Sequence, residues 1–186
     1  MAKTMGEMKV AILATDGFEQ SELLGPKKAL DEVEVETEII APKSGTIRGW
    51  NKKDWGDEVL VTKSLEQADA EEYDALILPG GVMNPDHLRM NPKAVEFVKS
   101  FVSSGKLVAA ICHGPWTLIE ADAVRGKTFT SWPSLQTDLR NAGANWVDQE
   151  VVQDGQFISS RKPDDIPAFS HAILEALEAQ EKRKAA

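Results

Sequence analysis

Short apolar runs alternate along this chain with stretches in which apolar residues recur at helical spacing. The runs at 9–14, 75–78 and 107–111 show no alternation with polar residues, which is typical of strands covered on both faces of a sheet. Helical spacing follows these runs at 19–30, 92–104, 116–121, 133–142 and 163–177. Strands and helices in this order predict an α/β fold, a doubly wound sandwich with a mainly parallel central sheet.

The segment from 32 to 39 shows the period of a half-exposed strand. Four glutamates occupy one face, and Val33, Val35, Thr37 and Ile39 occupy the other. This pattern predicts a strand with one solvated face at or near an edge of the sheet. There the row of like charges would repel the edge of another molecule.

Two further segments interrupt the regular alternation. Residues 43–63 form a polar excursion with a strand or two, and it carries Trp50 and Trp55. These tryptophans would either anchor the excursion to the domain or form a subunit contact, since aromatic residues are enriched at interface cores. Residues 147–158 predict a hairpin, because their Asp-Gly pair at 154–155 suits a tight turn between two strands.

The composition limits what the protein can be. Its 186 residues favour a single domain over 1–186, with a core at about 8–177 and a charged, loose tail at 178–186. Lysine and arginine total 21 against 30 aspartate and glutamate, a net charge of −9, so we expect no nucleic-acid partner. No apolar run approaches the roughly 20 residues that span a bilayer, and the first eight residues are too polar for a secretory signal. We therefore expect a cytoplasmic protein with no membrane partner.

The single cysteine, Cys112, is the main candidate for chemistry. It ends the run at 107–111 and precedes Gly114, a proline and a predicted helix, a pattern typical of a nucleophile elbow after a central strand. The positive end of that helix would stabilise a thiolate, and the adjacent His113 could exchange a proton with it. The alternative is a buried structural cysteine, since a lone cysteine is most often a small hydrophobic residue. One cysteine forms no internal disulfide, and we expect no metal site.

Three turns should meet around this cysteine. The segments 15–17, 79–81 and 112–114 each follow a predicted central strand, and the carboxyl ends of parallel strands lie at one edge of the sheet. The turn at Gly80 and Gly81 could present backbone N–H groups to a developing oxyanion.

Several motifs together point to a known family. They are AAICHGP at 109–115, LPGG at 78–81, GFE at 17–19, NAGANWVDQEVV at 141–152 and SSRKPDDIPAF at 159–169. In these motifs the chain resembles the ThiJ/PfpI superfamily, and within it the PfpI subgroup of intracellular peptidase-like and general stress proteins. The resemblance extends from about 8 to 177. It implies a flavodoxin-like sheet related to the class I glutamine amidotransferases.

The resemblance also implies roles for individual residues. Cys112 matches the elbow nucleophile and His113 the histidine beside it. Glu19 matches the acid whose carboxyl group hydrogen-bonds the cysteine sulfur. Gly81 and His113 match the residues whose backbone N–H groups form an oxyanion hole. Asp86 falls where peptidase-like members place an acid that pairs with the histidine across a subunit contact, although some of them carry the longer glutamate there.

Three more residues are candidates for the substrate pocket: Gly80, Trp116 and Arg161. Trp116 lies in the first turn after the elbow, where it would either form a wall of the pocket or pack into the core. Arg161 would bind a substrate anion or make a structural ion pair. His87 and His171 belong to no motif, and we interpret both as surface or structural residues.

The family implies a cysteine-dependent stress-protection enzyme that needs no cofactor and in which a thiolate attacks a carbonyl. Two substrate classes stay open: methylglyoxal or glycated adducts, and amides or peptides. We favour the first, because small aldehydes need no elaborate pocket. The alternative to turnover is a redox sensor, since peroxide oxidises an exposed thiolate to sulfenic and then sulfinic acid. The expected partners are the carbonyl substrate and further copies of the chain, in a homodimer or a higher homo-oligomer.

Overall fold

The computed structural model describes the backbone of residues 4–185 and the side chains of residues 4–182. The strands are β1 (Lys9–Leu13), β2 (Phe18–Glu19), β3 (Glu36–Ala41), β4 (Thr46–Asn51), β5 (Asp54–Leu60), β6 (Lys63–Ser64), β7 (Ala75–Leu78), β8 (Leu107–Ile111), β9 (Thr128–Phe129), β10 (Asn145–Trp146), β11 (Val151–Asp154) and β12 (Phe157–Ser160). The α-helices are α1 (Gln20–Asp31), α2 (Met83–Arg89), α3 (Pro92–Ser103), α4 (Pro115–Glu120), α5 (Gln136–Asn141) and α6 (Ile166–Ala185). Single turns of 3₁₀ helix lie at Met5–Glu7, Ala70–Glu72, Pro133–Leu135 and Pro163–Asp165.

Within residues 4–185 the largest sheet has seven strands in the order β11-β12-β8-β7-β1-β3-β6. All neighbouring strands run parallel except β11, which forms an antiparallel hairpin with β12 through Gly155. The central strands β7 and β8 are buried along their whole length, as their unbroken apolar runs predicted. The expected mainly parallel sheet and the expected hairpin are therefore confirmed.

Apolar side chains fill both faces of this sheet. One face packs against α1 and α6, which contribute Leu23, Leu30, Phe169 and Ile173 to the core. The other face is covered by α2–α5, which contribute a second core cluster that includes Leu88, Phe97, Phe101, Leu118 and Leu139. Two helical layers on a parallel sheet form the doubly wound sandwich that the alternating order predicted.

The polar excursion at 43–63 forms a β-hairpin outside the main sheet. Its strands β4 and β5 pair antiparallel, and β2 joins them in a small three-stranded sheet. Trp50 and Trp55 face each other across the hairpin in an edge-to-face arrangement, with ring centroids 5.6 Å apart. The two rings therefore stabilise the hairpin itself, and 42% of Trp55 remains exposed.

Two expectations about charged segments are wrong in detail. The segment at 32–39 begins as a turn, in which Glu34 takes a φ of 61°, and the strand starts only at Glu36. Glu38 does not face solvent but is buried, and it accepts hydrogen bonds from Tyr73 and Lys9. The predicted position near the edge holds, since only β6 lies beyond β3, but Lys9, Lys63 and Tyr73 surround the Glu38 carboxylate. The tail from 178 to 185 continues α6 as a helix instead of being loose.

Candidate active site

Cys112 lies on a sharp turn between β8 and α4. Its φ is 63°, a left-handed backbone conformation that residues with a Cβ seldom adopt. The turn is held by two backbone hydrogen bonds, from the Cys112 N–H to Ser160 at 3.0 Å and from the Gly114 N–H to Ile111 at 2.9 Å. Gly114 is required here, because a Cβ on it would lie 2.5 Å from the carbonyl oxygen of Leu78. The geometry is that of the predicted nucleophile elbow, and strained backbone is typical of functional sites.

The turn at 79–81 lies directly against this elbow, and the turn at 15–17 packs against 79–81. The Glu19 N–H donates to the carbonyl oxygen of Gly80 at 3.2 Å. Gly81 has a φ of 77°, and a Cβ on it would lie 2.5 Å from the carbonyl oxygen of Gly17. Gly80 is buried, and a Cβ there would meet the Glu22 carboxyl group and Cys112 at 2.5 and 2.6 Å. Gly80 was predicted to line a substrate pocket, but it is a point of close packing beneath the cysteine.

The acid beside the sulfur is Glu22, so the assignment of this contact to Glu19 is wrong. Glu22 lies in the first turn of α1 and is fully buried, and its Oε2 and the Cys112 Cβ both lie within 2.6 Å of the point where a Cβ on Gly80 would be. Its Oε2 accepts the Gly80 N–H at 2.8 Å, whereas Oε1 has no hydrogen-bond partner in the described part of the chain. Glu19 precedes the helix instead, and its carboxylate accepts the Ser21 hydroxyl at 3.3 Å.

Burial sets the protonation of these acids. It raises the pKa of Glu22 to about 8, against the smaller opposing effect of the Gly80 N–H. Glu22 is therefore protonated at neutral pH and can donate its proton to sulfur. Burial also raises the pKa of Cys112 and of Glu19. The backbone N–H groups of Gly81 and His113 oppose this effect of burial and lower the pKa of the thiol. Their role as oxyanion donors stays a prediction.

His113 offers a base next to this pair. Its Nδ1 lies 3.2 Å from the Cys112 sulfur, and burial lowers its pKa, so the imidazole is neutral at pH 7. Two tryptophans flank the ring: Trp116 in an edge-to-face contact at 5.0 Å and Trp132 in a stacked contact at 6.1 Å. Its Nε2 lies 3.4 Å from the Ser134 hydroxyl. Thiol, imidazole and neutral carboxyl group together can generate a thiolate and hold it in place.

Asp86 does not take part in this arrangement within one chain. It lies on α2 with 48% of its side chain exposed, and it pairs with Arg89 at 3.6 Å. Its pairing with His113 across a subunit contact stays a prediction. His87 and His171 are both exposed, and His171 pairs with Glu175 on its own helix.

Arg161 makes a structural ion pair rather than an open anion site. Its guanidinium donates to both carboxylate oxygens of Asp165, at 2.9 and 3.0 Å, and to Asp148 at 2.9 Å. These carboxylates raise the pKa of Arg161. Since three of its five N–H donors serve these two carboxylates, which also balance its charge, the prediction that it binds a substrate anion lacks support. Trp116, the other pocket candidate, contacts His113 and donates its Nε1–H to Asp138 at 2.9 Å.

The site is narrow. Cys112 and His113 are each only 7% exposed. Grooves of about 1080, 680 and 640 Å³ open elsewhere on the surface, and Cys112 lines none of these three. Among the described residues no cluster of three or more His, Cys, Asp or Glu side chains could hold a metal ion. No helix in that part of the chain is long and apolar enough to cross a membrane.

Sequence reasoning missed Glu22, Trp132 and Ser134. A signal for Glu22 was present: it lies four residues before Pro26 and eight before Leu30, so it belongs to the buried face of its helix. An acid on an apolar helix face is a candidate for function, because its burial is costly. Trp132 and Ser134 lie in a loop 20 or more residues after the elbow, and no local pattern connects them to it.

Known proteins match this chain over all the segments that build the site. A model of the DJ-1/PfpI family matches residues 8–176. Protein/nucleic acid deglycase 2 of Escherichia coli (strain K12) is 43% identical over 171 residues, which make up 91% of this chain and 97% of that protein. General stress protein 18 of Bacillus subtilis (strain 168) is 43% identical over 173 residues, 91% of this chain and 98% of that protein. A solved two-domain protein from Anabaena variabilis, with DJ-1/ThiJ/PfpI-like and ferritin-like domains, has a TM-score of 0.87 and 38% identity over 92% of this chain and 48% of its own.

Proposed function

Because the chain belongs to the DJ-1/PfpI family, we propose that it is a cysteine-dependent stress-protection enzyme whose thiolate attacks the carbonyl group of glycated adducts or of methylglyoxal. The observation that carries this proposal is the 3.2 Å contact between the Cys112 sulfur and His113 Nδ1 on a strained elbow. The buried Glu22 carboxyl group lies against the same turn, and the Gly81 N–H lowers the pKa of the thiol.

The chemistry begins with proton transfer. The thiol proton passes to His113 Nδ1, and the electron pair stays on sulfur, where the Glu22 hydroxyl supports it. Sulfur then bonds to the carbonyl carbon while the π electrons of the carbonyl move to its oxygen. The N–H groups of Gly81 and His113, which lower the pKa of the thiol, would stabilise that oxyanion. The proton on His113 then passes to this oxygen, which gives a neutral hemithioacetal and restores the neutral imidazole.

The narrow site favours small substrates. Only 7% of Cys112 is exposed, and Trp116 and Trp132 flank its partner His113. A two- or three-carbon carbonyl reaches sulfur through such an opening, whereas an extended peptide needs a groove along the site. The grooves of about 1080 and 640 Å³ lie elsewhere. This supports an aldehyde or a glycated side chain over an internal peptide bond.

The test compares purified wild type with Cys112→Ser on methylglyoxal, on methylglyoxal-modified amino acids and on chromogenic amides. We expect wild type to consume the first two classes and the variant to lose at least about 100-fold in kcat/KM, as expected for removal of a covalent nucleophile. Equal rates for both proteins on every substrate would exclude the proposed enzyme. A rate on the amides alone would replace the proposed substrate class with peptide hydrolysis.

We also propose that the chain acts as a homo-oligomer, in which Asp86 of one copy approaches His113 of another. Asp86 lies on the outer side of α2 between Val82 and Met90, which flank the helix and are 55% and 76% exposed. Apolar residues around a half-exposed acid suit a contact between subunits. Activity per chain that falls on dilution, together with a lower kcat for Asp86→Asn at high concentration, is the expected result. A monomer of full activity would contradict it.

A second candidate function is redox sensing. The protonated Glu22 beside Cys112 can donate a hydrogen bond to an oxygen added to sulfur. Peroxide would convert the thiolate to a sulfenate with release of water, and a second peroxide would give the sulfinate. We expect intact mass spectrometry to show gains of about 16 and 32 Da at low peroxide in wild type but not in Cys112→Ser. If neither oxidised species forms in wild type, redox sensing through Cys112 is excluded.

A further inference from the structure

The turn at Gly80 and Gly81 has little resistance of its own to reorientation. Neither residue has a Cβ, so the peptide between them can rotate as a unit and exchange the directions of its carbonyl and its N–H. We propose that Asn84 is a positioning residue that prevents this rotation and keeps the Gly81 N–H on the side of the Cys112 sulfur. The inference rests on the proposed function only in assigning this N–H to the stabilisation of charge at the reacting atoms.

Asn84 is the second residue of α2, and its side chain is completely buried. Its Nδ2 donates to the carbonyl oxygens of Pro79 at 2.9 Å and of Gly80 at 3.1 Å. Its Oδ1 accepts the Thr15 N–H at 2.8 Å. An amide nitrogen only donates and an amide oxygen only accepts, so the swapped orientation would lose all three hydrogen bonds. The amide therefore has one possible orientation.

These contacts hold two successive peptides from one side. The peptides at 79–81 are trans, so the C=O and the N–H of each point in opposite directions. The Pro79 carbonyl points to Asn84, and the N–H of the same peptide donates to Glu22 at 2.8 Å. The Gly80 carbonyl is held in the same way, so the Gly81 N–H faces the side on which Glu22 lies. That is the side of the elbow, since a Cβ on Gly80 would meet the elbow cysteine at 2.6 Å.

The effect of this N–H on the thiol agrees with that direction. Burial raises the pKa of Cys112, and the Gly81 N–H opposes this effect. A peptide rotated by half a turn would instead present the Gly80 carbonyl to the sulfur, and a carbonyl dipole in that direction disfavours a thiolate. The orientation of one peptide therefore decides whether this turn supports or opposes negative charge at the reacting atoms.

Without Asn84 the turn would have a reason to rotate. Two buried carbonyls that point the same way repel each other, and a buried carbonyl that loses its donor is costly. The Glu19 N–H gives the Gly80 carbonyl a further donor at 3.2 Å, but Asn84 contacts both carbonyls. Removing the amide leaves their repulsion in place, and rotation of the peptide between the two glycines relieves it.

The contact with Thr15 fixes the amide relative to the central sheet. Thr15 follows β1, and β1 pairs directly with β7, the strand that leads into the turn at 79–81. The amide of Asn84 thus connects the ends of two neighbouring strands. Its position depends on the sheet as well as on α2, so the turn keeps its orientation towards the elbow when the helix moves.

The test measures the sulfur separately from turnover. In Asn84→Ala, alkylation of Cys112 by iodoacetamide at neutral pH should slow about tenfold, since the thiolate loses a donor that stabilises it. A variant that is merely loosened would expose the thiol and react faster, so the direction of the change separates the two effects. On a carbonyl substrate, kcat should fall about 100-fold, as for the loss of one oxyanion donor, while KM stays constant.

Two further variants serve as comparisons. Asn84→Leu removes the amide but leaves no cavity, and it should show the same losses as Asn84→Ala. Asn91→Ala is the matched control, because Asn91 caps α3 by accepting the N–H groups of Lys93 and Ala94. It should lower Tm but leave alkylation and turnover at wild-type values.

Unchanged or faster alkylation in a folded Asn84→Ala or Asn84→Leu variant would overturn the inference. So would a crystal structure of wild type in which the Gly80 carbonyl faces Cys112, a result that does not depend on how the variants fold. If wild type turns over no carbonyl substrate but alkylation slows as expected in the variants, the proposed function fails and the role of Asn84 stands.

Discussion

Replacing Glu22 with glutamine should change how the stability of the protein depends on pH. The native pKa of Glu22 is about 8, against 4.5 for an unperturbed glutamate. A raised pKa means that the native state holds a proton that the unfolded chain releases. The resulting stabilisation is complete below the unfolded pKa and is lost as the pH rises through the native pKa.

The magnitude follows from the size of this shift. Each pH unit between the two pKa values costs about 1.4 kcal/mol of unfolding free energy. Between about pH 5.5 and pH 7.5, wild type should therefore lose about 3 kcal/mol relative to Glu22→Gln. The His113 pKa is lowered, which acts in the opposite direction, but both proteins carry this histidine and its effect cancels in the difference.

Urea denaturation at three pH values measures this difference. Glutamine can accept the Gly80 N–H as glutamate does and does not titrate, so the variant retains the packing while losing the proton. Glu19→Gln is the matched control, because Glu19 is less buried than Glu22. The difference in unfolding free energy between Glu19→Gln and wild type should therefore change less with pH. Parallel curves for wild type and Glu22→Gln, within about 0.5 kcal/mol across the range, would refute a protonated Glu22.

Three further substitutions test other parts of the structure. Gly114→Ala should lower stability by more than about 2 kcal/mol in thermal unfolding, because its Cβ would meet a backbone carbonyl at 2.5 Å; an unchanged Tm would contradict the tight elbow. Arg161→Ala should cost about 1–3 kcal/mol, since it removes the guanidinium and leaves the buried Asp165 only the backbone N–H of residue 161, while KM stays constant; a raised KM at unchanged stability would restore a substrate role. Tyr73→Phe should cost about 1–3 kcal/mol in urea by removing a donor to the buried Glu38, and a neutral effect would show that this hydrogen bond is dispensable.

The central strands were predictable because a short stretch of sequence is enough to identify them. An unbroken apolar run such as 75–78 or 107–111 is stable only between two covering layers, and both are the innermost strands of the sheet. The segment at 32–39 was harder, since its alternation also fits a half-exposed strand. The surroundings of this segment depended on β6, a strand of only two residues that no sequence pattern predicts.

The turns that build the site were predictable from the sequence, whereas its acid and its outer loop were not. Cys112, Gly81 and His113 follow strand ends, and parallel topology brings strand ends together. The acid was misassigned because Glu19 and Glu22 are three residues apart on the same segment, and the choice between them depends on which side of α1 faces the sheet. The loop that carries Ser134 was not predictable, because its place beside His113 depends on a long-range hydrogen bond from Trp132 to Cys112.

The groups around the sulfur come from three distant parts of the chain, at 22, 80–81 and 112–113. In an unfolded or half-folded chain Cys112 is therefore an ordinary thiol, without its acid, its N–H donors or its imidazole. Its special reactivity begins only when β1, β7 and β8 have paired and α1 has docked. Since no other thiol exists in the chain, the rate at which Cys112 is labelled during refolding reports the arrival of the last of these segments.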